Sequence, residues 1–232
     1  MKKIQYIFIL ASLLLTFSCK EDLTSEGVSK VTNHVAFELT NGSFMTVPKG
    51  NAFVDPGVKA TEGTTDLSST VKVNGTVDGM NAGLYTLTYS AVNSDGFPSS
   101  TERTVIVYDP AAPATDLTGD YSSSVKRVAP ARSFTDLKVS IEKLAPGFFH
   151  ISDFIGGFYD QGSNYKYGPA YASSGYFQLN ADNTLTHVSS NNAGFGGPLE
   201  DLTNGKYDPA TNTLSWDAFY LGYDFKVTLE KN

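Results

Sequence analysis

The stretch "AGLYTLTYSAVNSDG", Ala82 to Gly96, decides the fold class. Tyr85, Leu87, Tyr89 and Ala91 alternate with Thr86, Thr88 and Ser90. A period of two sends the two sets to opposite faces of a pleated strand, so this is a half-buried antiparallel strand. Asn93 to Gly96 then carries turn chemistry, because Asn and Gly tolerate backbone that other residues avoid. "ERTVIVY", Glu102 to Tyr108, returns as the partner strand of a hairpin.

Upstream, short apolar runs are separated by turns. "AFELT" is followed by "NGSFMTVPKGNAF", with turns at Asn41-Gly42 and Pro48-Lys49-Gly50, and then by "VKVNGTV". Short strands spaced by turns predict a β-sandwich from His34 to Tyr108. "AFVDPGVKA", "STVKVNGTVD", "AGLYTLTYSAVNSDG" and "RTVIVYD" occur in that order. Together they resemble the bacterial Ig-like domain of pesticidal crystal proteins and many surface proteins, over Asn51 to Tyr108. The resemblance implies a bend at Asp55-Pro56-Gly57, a core or corner role for Tyr85, and a spacer function. Asn93 stands where that family has an aspartate, which removes the basis for a cation there.

"DPAAPATD", residues 109–116, reads as a semi-rigid linker. From Leu117 to Asn232 the pattern is again β. Leu137, Val139 and Ile141 alternate with charged and polar residues, and Ala145-Pro146-Gly147 is a turn. Hairpins are expected around Asn180 to Asn183 and Asp208 to Asn212, and Phe225, Val227 and Leu229 mark a last strand. Successive hairpins predict an antiparallel meander, open or closed into a barrel. The whole chain is thus expected to be all-β: an Ig-like β-sandwich followed by an antiparallel β-meander or barrel-like domain. In layout the second unit is similar to C-terminal domains of lipoproteins encoded with starch-utilisation-type glycan uptake systems.

The N-terminus follows a different logic. Lys2 and Lys3 precede an apolar run, Ile4 to Leu15, too short to span a bilayer comfortably, so residues 1–18 read as a signal peptide. Cys19, the only cysteine, follows at once. "LTFSC" resembles the lipobox of bacterial lipoproteins, with Thr16 where the pattern prefers leucine. The resemblance implies cleavage before Cys19 and lipid on its thiol. Each buried methylene then contributes about 0.8 kcal/mol of membrane affinity. Lys20-Glu21-Asp22 is similar to the surface-export signal of lipoproteins in Gram-negative glycan degraders. The implied location is the outer membrane, lipid-anchored and exposed at the cell surface, with residues 19–33 as a lipidated tether.

Composition narrows the chemistry. A net charge of -7 and no Lys/Arg cluster argue against nucleic acid as a partner. His34, His150 and His187 are not spaced as metal ligands, and neither metal nor cofactor is expected. No nucleophile elbow or phosphate loop appears, and "NAGFGGP" reads as a mobile hairpin loop. A glycosidase would need two carboxylates about 5 to 9.5 Å apart. Asp153, Asp160, Glu200, Asp201 and Asp217 are candidates only through their aromatic neighbours, and the reading is non-enzymatic.

Aromatic density stands out in the second unit. "FIGGFYDQGSNYKYGPAYASSGYF" and "WDAFYLGYDF" interleave rings with small polar residues. Flat rings stack on the C–H faces of sugars, while neighbouring amides and carboxylates bind hydroxyls. The candidate glycan-binding residues are Tyr159, Asp160, Gln161, Asn164, Tyr165, Tyr167, Tyr171, Trp216 and Tyr220. Trp216 follows Leu214 in alternation, which is also a core position. The expected partners are a polysaccharide or oligosaccharide, components of an outer-membrane glycan importer, and the membrane through the N-terminal lipid. The alternative is a structural or adhesion lipoprotein engaging other proteins.

Overall fold

The computed structural model of the protein describes residues 31–232. The signal peptide, Cys19, Lys20-Glu21-Asp22 and most of the tether therefore lie outside the described residues. His34 to Asn232 form one compact unit. Regular structure is almost entirely β, as expected.

The first part holds β1 (Val35–Leu39), β2 (Phe44–Pro48), β3 (Val58–Glu62), β4 (Thr65–Asp66), β5 (Lys72–Asn74), β6 (Gly83–Val92) and β7 (Pro98–Tyr108). One sheet has the order β1-β3-β4 and the other β2-β7-β6-β5, with β2 parallel to β7. On β6 the alternation buries Leu87, Tyr89 and Ala91. The Asn93 side-chain oxygen accepts the amides of Asp95 and Phe97 and closes the β6–β7 turn. Tyr85 donates its hydroxyl to the Asn81 carbonyl four residues back, at 2.9 Å, which is a corner role.

Val35, Ala60 and Ala91 form a small apolar cluster, and the same part of the fold holds a buried cation. Arg103 on β7 is 0% exposed. Its guanidinium pairs with Asp55 and donates to the carbonyls of Thr40, Gly42 and Gly57. Tyr89 donates its hydroxyl to the same carboxylate at 2.8 Å. Burial, then this bond to Asp55, push the Tyr89 phenol up to about 12. The Asp55-Pro56-Gly57 bend thus does more than turn the chain: it delivers the carboxylate that neutralises Arg103.

The second part holds β8 (Gly119–Arg127), β9 (Arg132–Ala145), β10 (Phe148–Ile151), β11 (Ser173–Leu179), β12 (Leu185–Asn192), β13 (Asp201–Asp208), β14 (Thr213–Tyr220) and β15 (Tyr223–Lys231). These eight strands form one antiparallel sheet, ordered β12-β11-β10-β9-β8-β15-β14-β13. The first and last strands of the meander, β8 and β15, pair along Phe225–Lys231. The sheet therefore curls into a nearly closed barrel, whose open seam between β12 and β13 is crossed by one bridge, Thr184 to Lys206.

Antiparallel alternation fixes which loops share a rim. The β9–β10, β11–β12 and β13–β14 turns lie at one end. That end meets the Ig-like part, where Ile106, Ala145 and Phe148 are buried together. The 109–116 segment is held there: Asp109 pairs with Lys49 and caps a turn at Ala111 and Ala112. The β8–β9, β10–β11, β12–β13 and β14–β15 loops lie at the opposite rim.

Candidate functional site

The β10–β11 connection, residues 152–172, is the long one, and its first half turns inward. Phe154, Ile155, Phe158 and Tyr159 join Tyr121, Phe149, Phe177, Trp216 and Phe225 in the main core. Asp153 makes this possible. Its side chain is buried, and its oxygens accept the amides of Ile155 and Ser173 at 2.9 Å each and of Gly157 at 2.8 Å. The chain then enters the barrel with its amides satisfied. Gly156 is required there: at φ +63, a Cβ would sit 2.6 Å from the Ser123 hydroxyl oxygen and 3.1 Å from Val227. The Phe154 carbonyl accepts the Trp216 indole N–H at 2.7 Å, and the Gly156 carbonyl accepts the Ser123 hydroxyl at 2.9 Å.

The second half of the loop surfaces. Tyr167 is 50% exposed, and Tyr165 and Tyr171 are half-buried. Phe195, on the β12–β13 loop, is 41% exposed. Its ring lies 4.7 Å from Tyr171, 5.0 Å from Tyr159 and 6.1 Å from Tyr167, each edge-to-face. Tyr167 also packs on Tyr171 at 5.1 Å and on Tyr165 at 5.5 Å. The result is a continuous aromatic surface on the rim turned away from the Ig-like part. Gly194 permits it, since a Cβ there would fall 2.6 Å from the Tyr171 ring. Asn192 ties the two loops together by donating to the Tyr171 carbonyl at 2.7 Å and accepting the Phe195 amide.

Two arginines flank the rings. Arg127 is 8% exposed and lies over Phe158 and Tyr223, at 5.3 and 5.0 Å from the ring centres. It donates to the Pro130 carbonyl at 3.0 Å and the Tyr165 hydroxyl at 3.4 Å. Arg132 is exposed and sits 5.4 Å over Tyr165.

The residues singled out in the sequence divide into three groups. Tyr165, Tyr167 and Tyr171 come together at the rim. Tyr159, Trp216 and Tyr220 are core instead, at 6%, 3% and 1% exposure. Strand alternation points Trp216 and Tyr220 inward, and Tyr220 spends its hydroxyl on the Gly196 carbonyl at 3.0 Å. Tyr159 forms the floor beneath Phe195 and Tyr167. Of the polar candidates, Gln161 is taken up internally, exchanging hydrogen bonds with the Lys138 amide and carbonyl. Asp160 accepts from Gln161 at 3.1 Å, and Asn164 is exposed.

Phe195 and the two arginines were not legible as site residues. The "NAGFGGP" loop reads as mobile in sequence, but the Asn192 side chain and the Tyr171 ring hold it in place. A phenylalanine flanked by glycines in a connecting loop was the available signal.

Among the candidate carboxylates, Asp153 is spent on backbone amides in the core. Asp217 is engaged by Lys226 and Asn204, at 3.0 and 2.8 Å. Among the described residues, no group of three His, Cys, Asp or Glu side chains is placed to hold a metal ion, and no helix is long and apolar enough to cross a membrane.

Two family models match the sequence. One describes a C-terminal domain and covers residues 109–231. The other is the bacterial surface protein Ig-like domain, over residues 37–107. No curated protein matches. Among solved structures, the lipoprotein BT2262 of Bacteroides thetaiotaomicron is 37% identical, over 85% of this chain and 100% of that one, with a TM-score of 0.46. CBM51-2 in complex with GlcNAc and INT domains of Clostridium perfringens ZmpB aligns over 51% of this chain and 29% of that one. At 16% identity and a TM-score of 0.28, that second likeness carries no weight for function. The match to the C-terminal domain model over more than half of the chain places this chain in that family, with a bacterial surface Ig-like domain ahead of an antiparallel β domain, and the Bacteroides lipoprotein, matched over its full length, is a relative.

Proposed function

We propose that the protein is anchored through Cys19 at the outer surface of the outer membrane. There it holds polysaccharide, without chemistry, on the aromatic rim of its barrel for an uptake system. The observation that carries the binding reading is the shared surface of Tyr167, Tyr171 and Phe195. Large apolar rings exposed side by side on the rim of a well-packed barrel are costly unless they meet a ligand. Rigid rings with few rotatable bonds suit a sugar, whose C–H face they cover at little entropy cost. The anchor rests on the lipobox resemblance of residues 15–19 and on the family.

Affinity electrophoresis on a polysaccharide panel tests the binding. Retardation in at least one glycan is expected. Tyr167→Ala and Phe195→Ala should each weaken it about 5- to 30-fold, the equivalent of about 1–2 kcal/mol. Both rings are well exposed, so the thermal midpoint should barely move. No retardation in any glycan would sink the reading. It would favour docking of another protein.

The anchor is tested in cells. External protease should remove the folded domains from intact cells, and Cys19→Ala should release the protein from the membrane fraction. Full protection from protease would place the protein inside.

A further inference from the structure

We infer that the glycan taken by the aromatic rim is acidic, carrying carboxylate or sulfate groups; this rests on the glycan-binding reading above. The rings are interleaved with cations. Arg132 lies over Tyr165, Arg127 donates to the hydroxyl of the same residue, and Lys166 is the exposed residue between Tyr165 and Tyr167. Among the described residues, the ion pairs are Lys49–Asp109, Arg103–Asp55 and Lys226–Asp217, so neither rim arginine has a carboxylate partner.

That separates the two buried arginines of this protein. Arg103 is neutralised by Asp55 inside the fold. Arg127, 8% exposed, has a carbonyl, the hydroxyls of Tyr165 and Tyr159 and two ring faces, and no carboxylate. A cation kept out of water without a counter-charge is expensive, and an arriving anion relieves the cost. Arg132 is better placed to touch that anion. Its guanidinium is exposed, already oriented on Tyr165, and can meet a carboxylate or sulfate with two parallel N–H donors. The acids of this rim, Asp160, Glu200, Asp201 and Asp224, form no ion pair with Arg127 or Arg132. Asp160 accepts from Gln161 at 3.1 Å, and Glu200 accepts the Gly222 amide at 3.2 Å.

The experiment is affinity electrophoresis of the folded domains on acidic glycans, polygalacturonate, alginate, polysialic acid, unsulfated chondroitin and chondroitin sulfate, beside neutral dextran, galactan and fully methyl-esterified pectin. At least one acidic glycan should be held tenfold or more tightly than any neutral one, and the preference should shrink with added salt. Arg132→Gln should reduce the preference about tenfold while leaving the thermal midpoint in place, and Arg132→Lys should restore part of it. Retention by polyuronates or polysialic acid assigns a carboxylate, and retention by chondroitin sulfate but not by unsulfated chondroitin assigns a sulfate. Equal or tighter retention by the neutral glycans overturns the inference and leaves glycan binding standing. An acid preference unchanged by Arg132→Gln also overturns it. Retention by none overturns both.

Discussion

Asp55→Ala should destabilise the protein by about 3–5 kcal/mol, a large share of the 5–15 kcal/mol typical of a folded domain. The reason is the state of the partner left behind. Arg103 is 0% exposed and cannot swing into water, so without Asp55 its charge stays buried among three carbonyls and the Tyr89 ring. Tyr89 loses the acceptor of its hydroxyl as well. Asp55→Asn, which keeps an acceptor but no charge, should cost less. Adding Arg103→Met to Asp55→Ala should recover part of the loss, because the uncompensated charge is gone while the freed carbonyls remain. Urea unfolding of the four proteins measures this. A double variant less stable than Asp55→Ala alone would show that the buried charge is not the source of the cost.

Asp153→Ala should cost about 3 kcal/mol or more. It leaves three buried amides, of Ile155, Gly157 and Ser173, without an acceptor, at about 1–3 kcal/mol each before relaxation. The inward half of the loop then loses its anchor, and glycan retention should fall with it although Asp153 is 1% exposed. Asp153 also sets a pH dependence. Burial pushes its carboxyl from 3.8 up to about 6, against the pull of its amide donors. A folded value above the unfolded one means that the native state holds the proton more tightly. The stabilising contribution is therefore full below about pH 4 and is lost as the pH rises through about 6. Asp153→Asn has no proton to lose. Between pH 4 and 7 the wild-type urea midpoint should fall relative to that of Asp153→Asn, and parallel profiles would refute the raised carboxyl.

The strands were legible because each writes a period of two into a handful of neighbouring residues. Leu87, Tyr89 and Ala91, or Phe225, Val227 and Leu229, need no distant partner to declare which face is buried. Tyr165, Tyr167 and Tyr171 were legible as a surface for the opposite reason: they sit in a stretch with no strand period. Trp216 and Tyr220 were ambiguous by composition, and strand parity decided them, since both share the inward face with Leu214 and Ala218. Asp153 looked like any acid among aromatics. What takes it out of surface chemistry is a buried turn that no local pattern announces.

From the sequence alone come the β class, the Ig-like part, the hairpin positions and the aromatic loop, all carried by short-range alternation and turn residues. Only the tertiary structure decides that the meander closes, because closure depends on β8 pairing with β15, roughly a hundred residues away. Closure in turn decides which loops share a rim. It brings Phe195 onto Tyr171, sets Arg127 and Arg132 against Tyr165, and sends Tyr159 to the floor. Those are long-range contacts, fixed by how one sheet curls, and the residues that make them carry no mark of it in their own neighbourhoods.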